Sequence, residues 1–258
     1  GEVGSSMSVV VIIPARLGST RLPGKALAEI AGAPMIVHVW RRACEARGVA
    51  RVLVATDDAA IARRGESAGG TAVMRRSAPG AGTDRLAEVA RRCGDEVVVN
   101  VQGDLPFLDP SYVEAAVAPL VAAPASGETA PPRMATLATP LRPGEAERPQ
   151  VVKVVCDRRG DALYFSRAPL PWPGDGGLRH IGLYAYRREL LLELASLAPT
   201  PLEKSEKLEQ LRALEHGHRI RVEVVTAGEG MIEVDTPEDL ERARAAVTAW
   251  KGGQRSHG

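Results

Sequence analysis

Aromatic residues are scarce, at 3% of the 258 residues. Stacking platforms for single-stranded nucleic acid need them in number, so that class of function is disfavoured. An excess of charge of one sign is missing as well. Lys plus Arg is 33 and Asp plus Glu is 32, a formal net charge of +1. Such a balance argues against a dedicated nucleic-acid binder or a polybasic membrane binder. Cysteine is limited to Cys44, Cys93 and Cys156, far apart and without a CxxC pair. That argues against a disulfide framework or a zinc site, and it suits a reducing cytosol. Apolar runs are short: none approaches the roughly 20 residues that span a bilayer, and the most apolar stretch, 115–125, is interrupted by Pro119 and Pro124. No signal-peptide pattern is present, and residues 1–6 ahead of Met7 read as an added segment outside the fold. The tail after Trp250 is expected to fray. A cytoplasmic protein with neither nucleic-acid nor membrane partners is the expectation.

What is present is a rhythm. The β-branched run 8–13 (SVVVII), stopped by Pro14, reads as a strand buried on both faces, and 51–55, 71–74 and 96–101 repeat the signature. Helical patterns lie at 34–47, 59–68, 83–93 and 110–122, followed by a Pro/Gly/Ser-rich loop at 124–133. Alternation at this interval implies a parallel sheet with helices on both faces and a ligand beyond the carboxyl ends of its strands. After Met134 the rhythm changes. Strand-like segments at 134–139, 151–156, 162–164 and 181–186 come without intervening helices, which suggests a second, more antiparallel lobe inserted into the first. Helices are expected at 187–197 and 202–216, with Gly217 as the residue past the helix end, and strands at 219–225 and 231–234. Thr236 before Pro237, with Asp239 three residues on, marks a final helix start. The expected division is 7–133 for the first α/β part, 134–218 for the inserted lobe, and 219–250 for the return to the main domain.

Two segments carry chemistry. The loop 14–25 (PARLGSTRLPGK) follows a buried strand and brings Arg16, Arg21 and Lys25 together with Gly18 and Gly24. Three cations on flexible backbone at a strand's carboxyl end suit a polyphosphate, with forked contacts from Arg and a point charge from Lys. It is neither a Walker A loop nor GxGxxG, because Ala26 stands where a metal-binding Ser or Thr would be needed. The alternative is a solvated basic loop. The segment 100–106 (NVQGDLP) places Asp104 at the end of another strand, where a carboxylate serves Mg²⁺ beside nucleotide phosphates. One Asp makes a thin metal site. Asp235 in MIEVDTPEDL is either its second ligand or only part of a turn and helix cap. Glu203, Glu206 and Gln210 fall on one face of the helix expected at 202–216, opposite a stripe of Leu208, Leu211 and Leu214.

The segments VVIIPARLGSTRLPGK, PMIVHVW, VATDD, GTDRLAEV, VNVQGD, VVKVV, ALYFSRAPLPW, RHIGLYAYRRELL and VDTPEDLERAR, with the residues around LEQLRALEHG, run through nearly the whole chain. In that order they resemble the 3-deoxy-manno-octulosonate (KDO) cytidylyltransferase family of sugar nucleotidyltransferases. The resemblance implies a Rossmann-like α/β fold, mostly parallel, with flanking helices and the smaller inserted lobe. It also implies Mg²⁺ dependence, a homodimer, and transfer of CMP from CTP to an acidic sugar. Arg16 and Lys25 then face the triphosphate and, with Asp104, carry the catalysis. Pro14, Ala15, Arg21, Gly82 and Thr83 complete the nucleotide site, and Asp104 and Asp235 hold the metal. Gln102, Arg167, His180, Tyr184, Glu209 and Gln210 surround the acceptor, Arg167 as anchor for its carboxylate. The sequence departs from the family pattern at Leu105, where an acid is usual, at Ala81, where Ser is usual, near Gln150, and at Glu233, where Gly is common. These departures lie on the pocket rim and leave room for another acceptor, such as an 8-amino octulosonate or a small phosphonate. A catalytically silent nucleotide-binding protein is the reading from a different class, and the paired aspartates argue against it.

Overall fold

The computed structural model describes residues 7–18, 20–74, 82–124, 126–174, 176–226 and 232–254. In chain order the elements are β1 (Val9–Ala15), a 3₁₀ turn (Lys25–Leu27), β2 (Glu29–Ile30), β3 (Ala33–Pro34), α1 (Met35–Cys44), β4 (Arg51–Thr56), α2 (Ala59–Ser67), β5 (Thr71–Met74), α3 (Gly82–Ala90), β6 (Val97–Asn100) and α4 (Pro110–Val121). There follow β7 (Met134–Pro140), β8 (Lys153–Cys156), β9 (Ala162–Ser166), β10 (Leu178–Arg187), α5 (Arg188–Ser196), α6 (Pro201–Glu206), α7 (Leu211–Glu215), β11 (Ile220–Val224) and α8 (Pro237–Gln254).

The central sheet runs β11-β7-β10-β6-β1-β4-β5. β1, β4, β5 and β6 are parallel, β11 is parallel to β7, and β10 enters antiparallel to both β6 and β7. The mostly parallel α/β architecture with flanking helices is therefore present. Its strands are apolar on both faces because helices cover both. Val9, Val11 and Ile13 pack toward α1 and α4, while Val10 and Ile12 pack toward α3 and α5. Each such side chain contributes about 1.5–3 kcal/mol on burial, so a charge at Ile12, which is fully buried, would break the sheet's centre.

The chain leaves β1 for β4 and β5 on one side and returns to β6 on the other, so the strand order reverses between β1 and β6. A crevice opens at such a switch point beyond the strand ends. β1 runs one residue past Pro14, where the sequence suggested a stop. Its register with β6 ends at Ile12, and Pro14 is paired only with Ala55 of β4. A residue without an N–H is tolerated where one side of the strand is free.

The segment 134–218 divides its strands. β7 and β10 are built into the central sheet, and only β8 and β9 leave it as a side hairpin, joined through the Arg179 end of β10. The apolar, doubly buried β7 requires a neighbour on each edge and a cover on each face. The helix expected over 202–216 is two short helices instead. Lys207 takes a left-handed conformation (φ 56°), which breaks the helical face proposed for Glu203, Glu206 and Gln210. The reason is tertiary: the Glu206 carboxylate is drawn to the β9 end, accepting from Ser166 Oγ (2.6 Å) and from the Arg167 N–H (3.0 Å). The strand expected at 231–234 is irregular over 232–234, and Met231 lies outside the described residues. The two-residue hairpin β2–β3, turning at Ala31 and Gly32 with positive φ at both, has the geometry of a tight hairpin but too few residues to show a pattern in the sequence.

Candidate active site

A cleft of about 640 Å³ opens beyond the carboxyl ends of β1 and β6. Pro14 and Ala15 form its floor, with Arg16, Arg21 and Lys25 from the loop that follows β1. Gly82 and Arg85 of α3, Asn100, Gln102 and Asp104, Glu209 and Asp235 complete the walls. A Cβ at Gly103 would stand 3.0 Å from the Pro14 carbonyl oxygen, so glycine there lets the ends of β1 and β6 approach. Gly24 (φ 69°) caps the 3₁₀ turn that presents Lys25 to the cleft.

Lys25 sits at the meeting point of the two aspartates. Its Nζ donates to Asp104 Oδ2 (3.0 Å) and to Asp235 Oδ1 (2.9 Å), and Arg21 stands 3.3 Å from the other Asp235 oxygen. Burial works against the Lys25 ammonium, but the Asp104 charge and hydrogen bonds to both aspartates outweigh it and raise its pKa. The Asp104 carboxyl is raised from its ordinary value by burial, which the Lys25 charge only partly offsets. The segment carrying Asp235 is pinned beside Asp104 by a backbone bond from the Val234 N–H to the Asp104 carbonyl (2.9 Å). The helix cap is made by other residues: the Asp239 N–H donates to Thr236 Oγ1 (3.2 Å), and the N–H groups of Asp235 and Thr236 donate to Asp239 Oδ2. The Asp235 side chain is thereby free of capping duty and turned to the cleft.

Opposite, Glu209 holds the start of α3. Its carboxylate accepts from the N–H of Gly82 (2.8 Å), the N–H of Thr83 (3.0 Å) and the Thr83 hydroxyl (2.6 Å). Those amides would otherwise be orphan donors at a helix N-terminus. Gly82, Thr83 and Glu209, expected on two different ligand surfaces, are thus bonded together, with Gly82 and Glu209 lining the cleft and Thr83 outside its lining. Ala81 and the residues before it, from 75 on, lie outside the described residues.

A side cavity of about 50 Å³ branches off where Gln102 and Asp104 line both spaces, bounded also by Leu105, Arg179, His180, Ile181, Gly182 and Glu233. His180 Nε2 lies 2.9 Å from Thr136 Oγ1, and its ring meets Phe165 edge-on and Tyr184 at 5.4 Å. Burial lowers its pKa to about 3, so it is neutral. Tyr184 is likewise raised well above the ordinary tyrosine value by burial. Glu233 keeps solvent contact but is crowded, and burial with the charges of Asp104 and Asp235 pushes it up to about 7.

Arg167 is not brought to the cleft and lines neither cavity. Its guanidinium donates to the backbone carbonyls of Glu206 (3.0 Å) and Pro149 (3.1 Å). Gln210 is buried at the start of α7, makes no side-chain cap to that helix, and lines neither cavity. The sequence reading missed Arg85 and Asn100. Asn100 carried a signal, a lone amide ending an otherwise apolar strand; Arg85 carried none beyond its place one turn into α3. Among the described residues, four buried side-chain atoms have no hydrogen-bond partner: Arg85 Nε, Asn100 Oδ1, Asp104 Oδ1 and Gln210 Nε2. Three of them belong to residues that line the cleft. Buried polar atoms are seldom left unpaired, so this concentration marks a surface made for a polar ligand.

Comparison with known proteins agrees. Residues 10–220 match the family model described as Cytidylyltransferase. A 3-deoxy-manno-octulosonate cytidylyltransferase from Anaeromyxobacter sp. (strain Fw109-5) is 54% identical over 248 residues, 93% of this chain and 97% of that protein. One from Geobacter sulfurreducens is 51% identical, over 92% and 98%. Among solved structures, a CMP:2-keto-3-deoxy-manno-octonic acid synthetase complexed with CTP superposes with a TM-score of 0.87 at 42% identity, covering 94% of this chain and 99% of its own.

Proposed function

The chain belongs to the 3-deoxy-manno-octulosonate cytidylyltransferase family of nucleotidyltransferases, and from that premise we propose that it moves CMP from CTP to KDO with release of pyrophosphate. The observation that carries this reading is the cleft at the switch point, polar, basic on one wall and acidic at its base, with unpaired buried atoms in its lining. In the reaction an acceptor hydroxyl attacks the α-phosphorus. Arg16 and Arg21 meet the triphosphate oxygens, and Lys25 adds a charge fixed in place by two carboxylates, so the cations are positioned before the phosphates arrive.

The aspartates fit Mg²⁺. Two carboxylates converge on a single ammonium, and Asp104 Oδ1 is buried without a partner. Among the described residues no group of three or more His, Cys, Asp or Glu forms a metal cage. A cation that takes one or two protein carboxylates and completes its shell from phosphates and water is Mg²⁺. Asp104 and Asp235 would hold it, and it would supply neutralisation of phosphate charge. His180, neutral and engaged with Thr136, orients the acceptor rather than exchanging a proton. Pro14, Ala15 and Gly82 line the cleft, and backbone groups there would read the cytosine edge, so CTP is expected to be preferred to ATP or GTP by about a hundredfold in kcat/KM. The homodimer and the cytoplasmic setting belong to the same proposal. The three cysteines are free, and no helix of the described residues is long and apolar enough to cross a membrane.

Pyrophosphate release with CTP and Mg²⁺ tests the reading, offering KDO, its 8-amino analogue and small phosphonates in parallel. Turnover with KDO supports it. Turnover with a phosphonate and with neither sugar acid overturns it.

A further inference from the structure

The side cavity has a property the proposed reaction does not use. It adjoins the main cleft at Gln102 and Asp104, which line both spaces. A molecule bound beside these two residues is within reach of it. Its space of about 50 Å³ is small beside the roughly 640 Å³ of the main cleft, so it suits a substituent of a ligand rather than a second ligand. Leu105 and Ile181, both buried, and Gly182 give it apolar sides. The β10 strand is irregular between Ile181 and Tyr184, which re-aims the backbone at this point.

The polar groups at this cavity are unequal. Arg179 donates to the buried Glu145 (2.9 Å), so its charge is matched. His180 is engaged with Thr136. The Glu233 carboxylate makes no hydrogen bond or ion pair among the described residues, although it faces the same space. A carboxylate oxygen without a partner is complementary to a ligand's donor.

We propose that Glu233 is a specificity-determining residue, which receives in the side cavity a hydrogen-bond donor of the acceptor, a hydroxyl or an ammonium, away from the reacting oxygen. This rests on the acceptor reading above and adds to it which group of the acceptor is read and by what. Glu233 keeps solvent contact, so a donor of the acceptor replaces water at its carboxylate, and a substrate that lacks the donor forfeits that contact.

The test begins with wild-type turnover of CTP and KDO under Mg²⁺. Its absence with every sugar acid sinks the underlying reading and this one with it. Given turnover, Glu233→Ala is expected to raise the acceptor KM at least tenfold, with the CTP KM within twofold. Wild type is also expected to discriminate about tenfold against one deoxy analogue of KDO, and Glu233→Ala to treat that analogue and KDO alike. Glu233→Gln, whose amide oxygen still accepts, is expected to keep KDO within threefold and to lose any preference for an amine at the same position. A Cβ at Gly182 meets nothing within 4 Å, so Gly182→Leu adds bulk at the cavity wall without a clash and is expected to raise the acceptor KM alone. An active wild type with unchanged acceptor KM in Glu233→Ala overturns the proposal. So does a variant that shifts only the Mg²⁺ concentration needed for activity, which would make Glu233 a partner of the metal.

Discussion

Two regions of the molecule carry charged side chains and are opposite in how they use them. At the cleft, Arg85, Asn100 and Asp104 each keep a buried polar atom without a partner. Behind β8 and β9, Lys153 is fully buried, and its Nζ donates to the carbonyls of Arg148 (3.0 Å), Val151 (2.7 Å) and Arg167. Arg167 is tied to Glu206 and Pro149, and Glu206 accepts from Ser166, Tyr164 and the Arg167 N–H. The closed network spends its hydrogen-bonding capacity on holding the chain; the open one keeps it for a ligand. Charge type alone does not distinguish them. Satisfaction does, because an unpaired buried group is costly unless something binds it.

The largest consequence concerns the open region. Asp104→Ala and Asp235→Ala should each lower turnover at least about a thousandfold, by removing charge at the phosphates, while circular dichroism shows the fold intact. Near-normal activity of Asp235→Ala at millimolar Mg²⁺ would return that residue to its helix-start role. Glu209 straddles the two regions, closed itself but lining the cleft. Glu209→Ala strips three hydrogen bonds from the start of α3 and should raise the CTP KM about tenfold, with a stability loss of about 1–2 kcal/mol. Glu209→Gln should recover part of both, and a variant normal in KM would place the wall outside the nucleotide's reach.

The closed network predicts the reverse pattern. Lys153→Met leaves three carbonyls without their donor and should cost about 2–4 kcal/mol, a fall in Tm of about 5–15 °C, with kcat/KM at 25 °C within about threefold. Arg167→Ala should follow it more weakly. If instead the acceptor KM of Arg167→Ala rises tenfold at unchanged Tm, Arg167 is the carboxylate anchor that the family resemblance implies, and it must turn into the cleft on binding. The smallest effect is that of His180. Burial depresses its pKa to about 3, so between there and the unfolded value near 6.5 the unfolded chain binds more protons. Stability should therefore decline as pH falls from about 6.5, and His180→Gln should flatten that decline. A His180 ring that titrates near 6.5 by NMR would contradict the burial.

Much of this architecture is legible along the chain. The runs 9–13, 51–55 and 97–99 are apolar and β-branched, which only a doubly covered strand accommodates. Asp104 and the Arg16–Arg21–Lys25 loop stand out because polar residues follow such strands at the ends where ligands bind. The helix at 202–216 misled because leucine periodicity was intact while the break at Lys207 depends on Glu206 reaching the β9 end, some 40 residues away. Asp235 reads two ways along the chain for the same reason: that Asp239 and Thr236 share the capping between them is visible only in the fold.

The sequence by itself determined the alternation of strand and helix, the class of fold and the two segments that reach the cleft. All three rest on local causes: burial periodicity, helix-start residues and the backbone limits of proline and glycine. Only the tertiary structure decided which charged groups are spent and which are left open. That Glu209 caps a helix 126 residues earlier, that Lys25 bridges two aspartates and that Arg167 is held by the Glu206 and Pro149 carbonyls are properties of pairs. A hydrogen bond is satisfied or not by the residue that folding brings alongside, and no single segment carries that information.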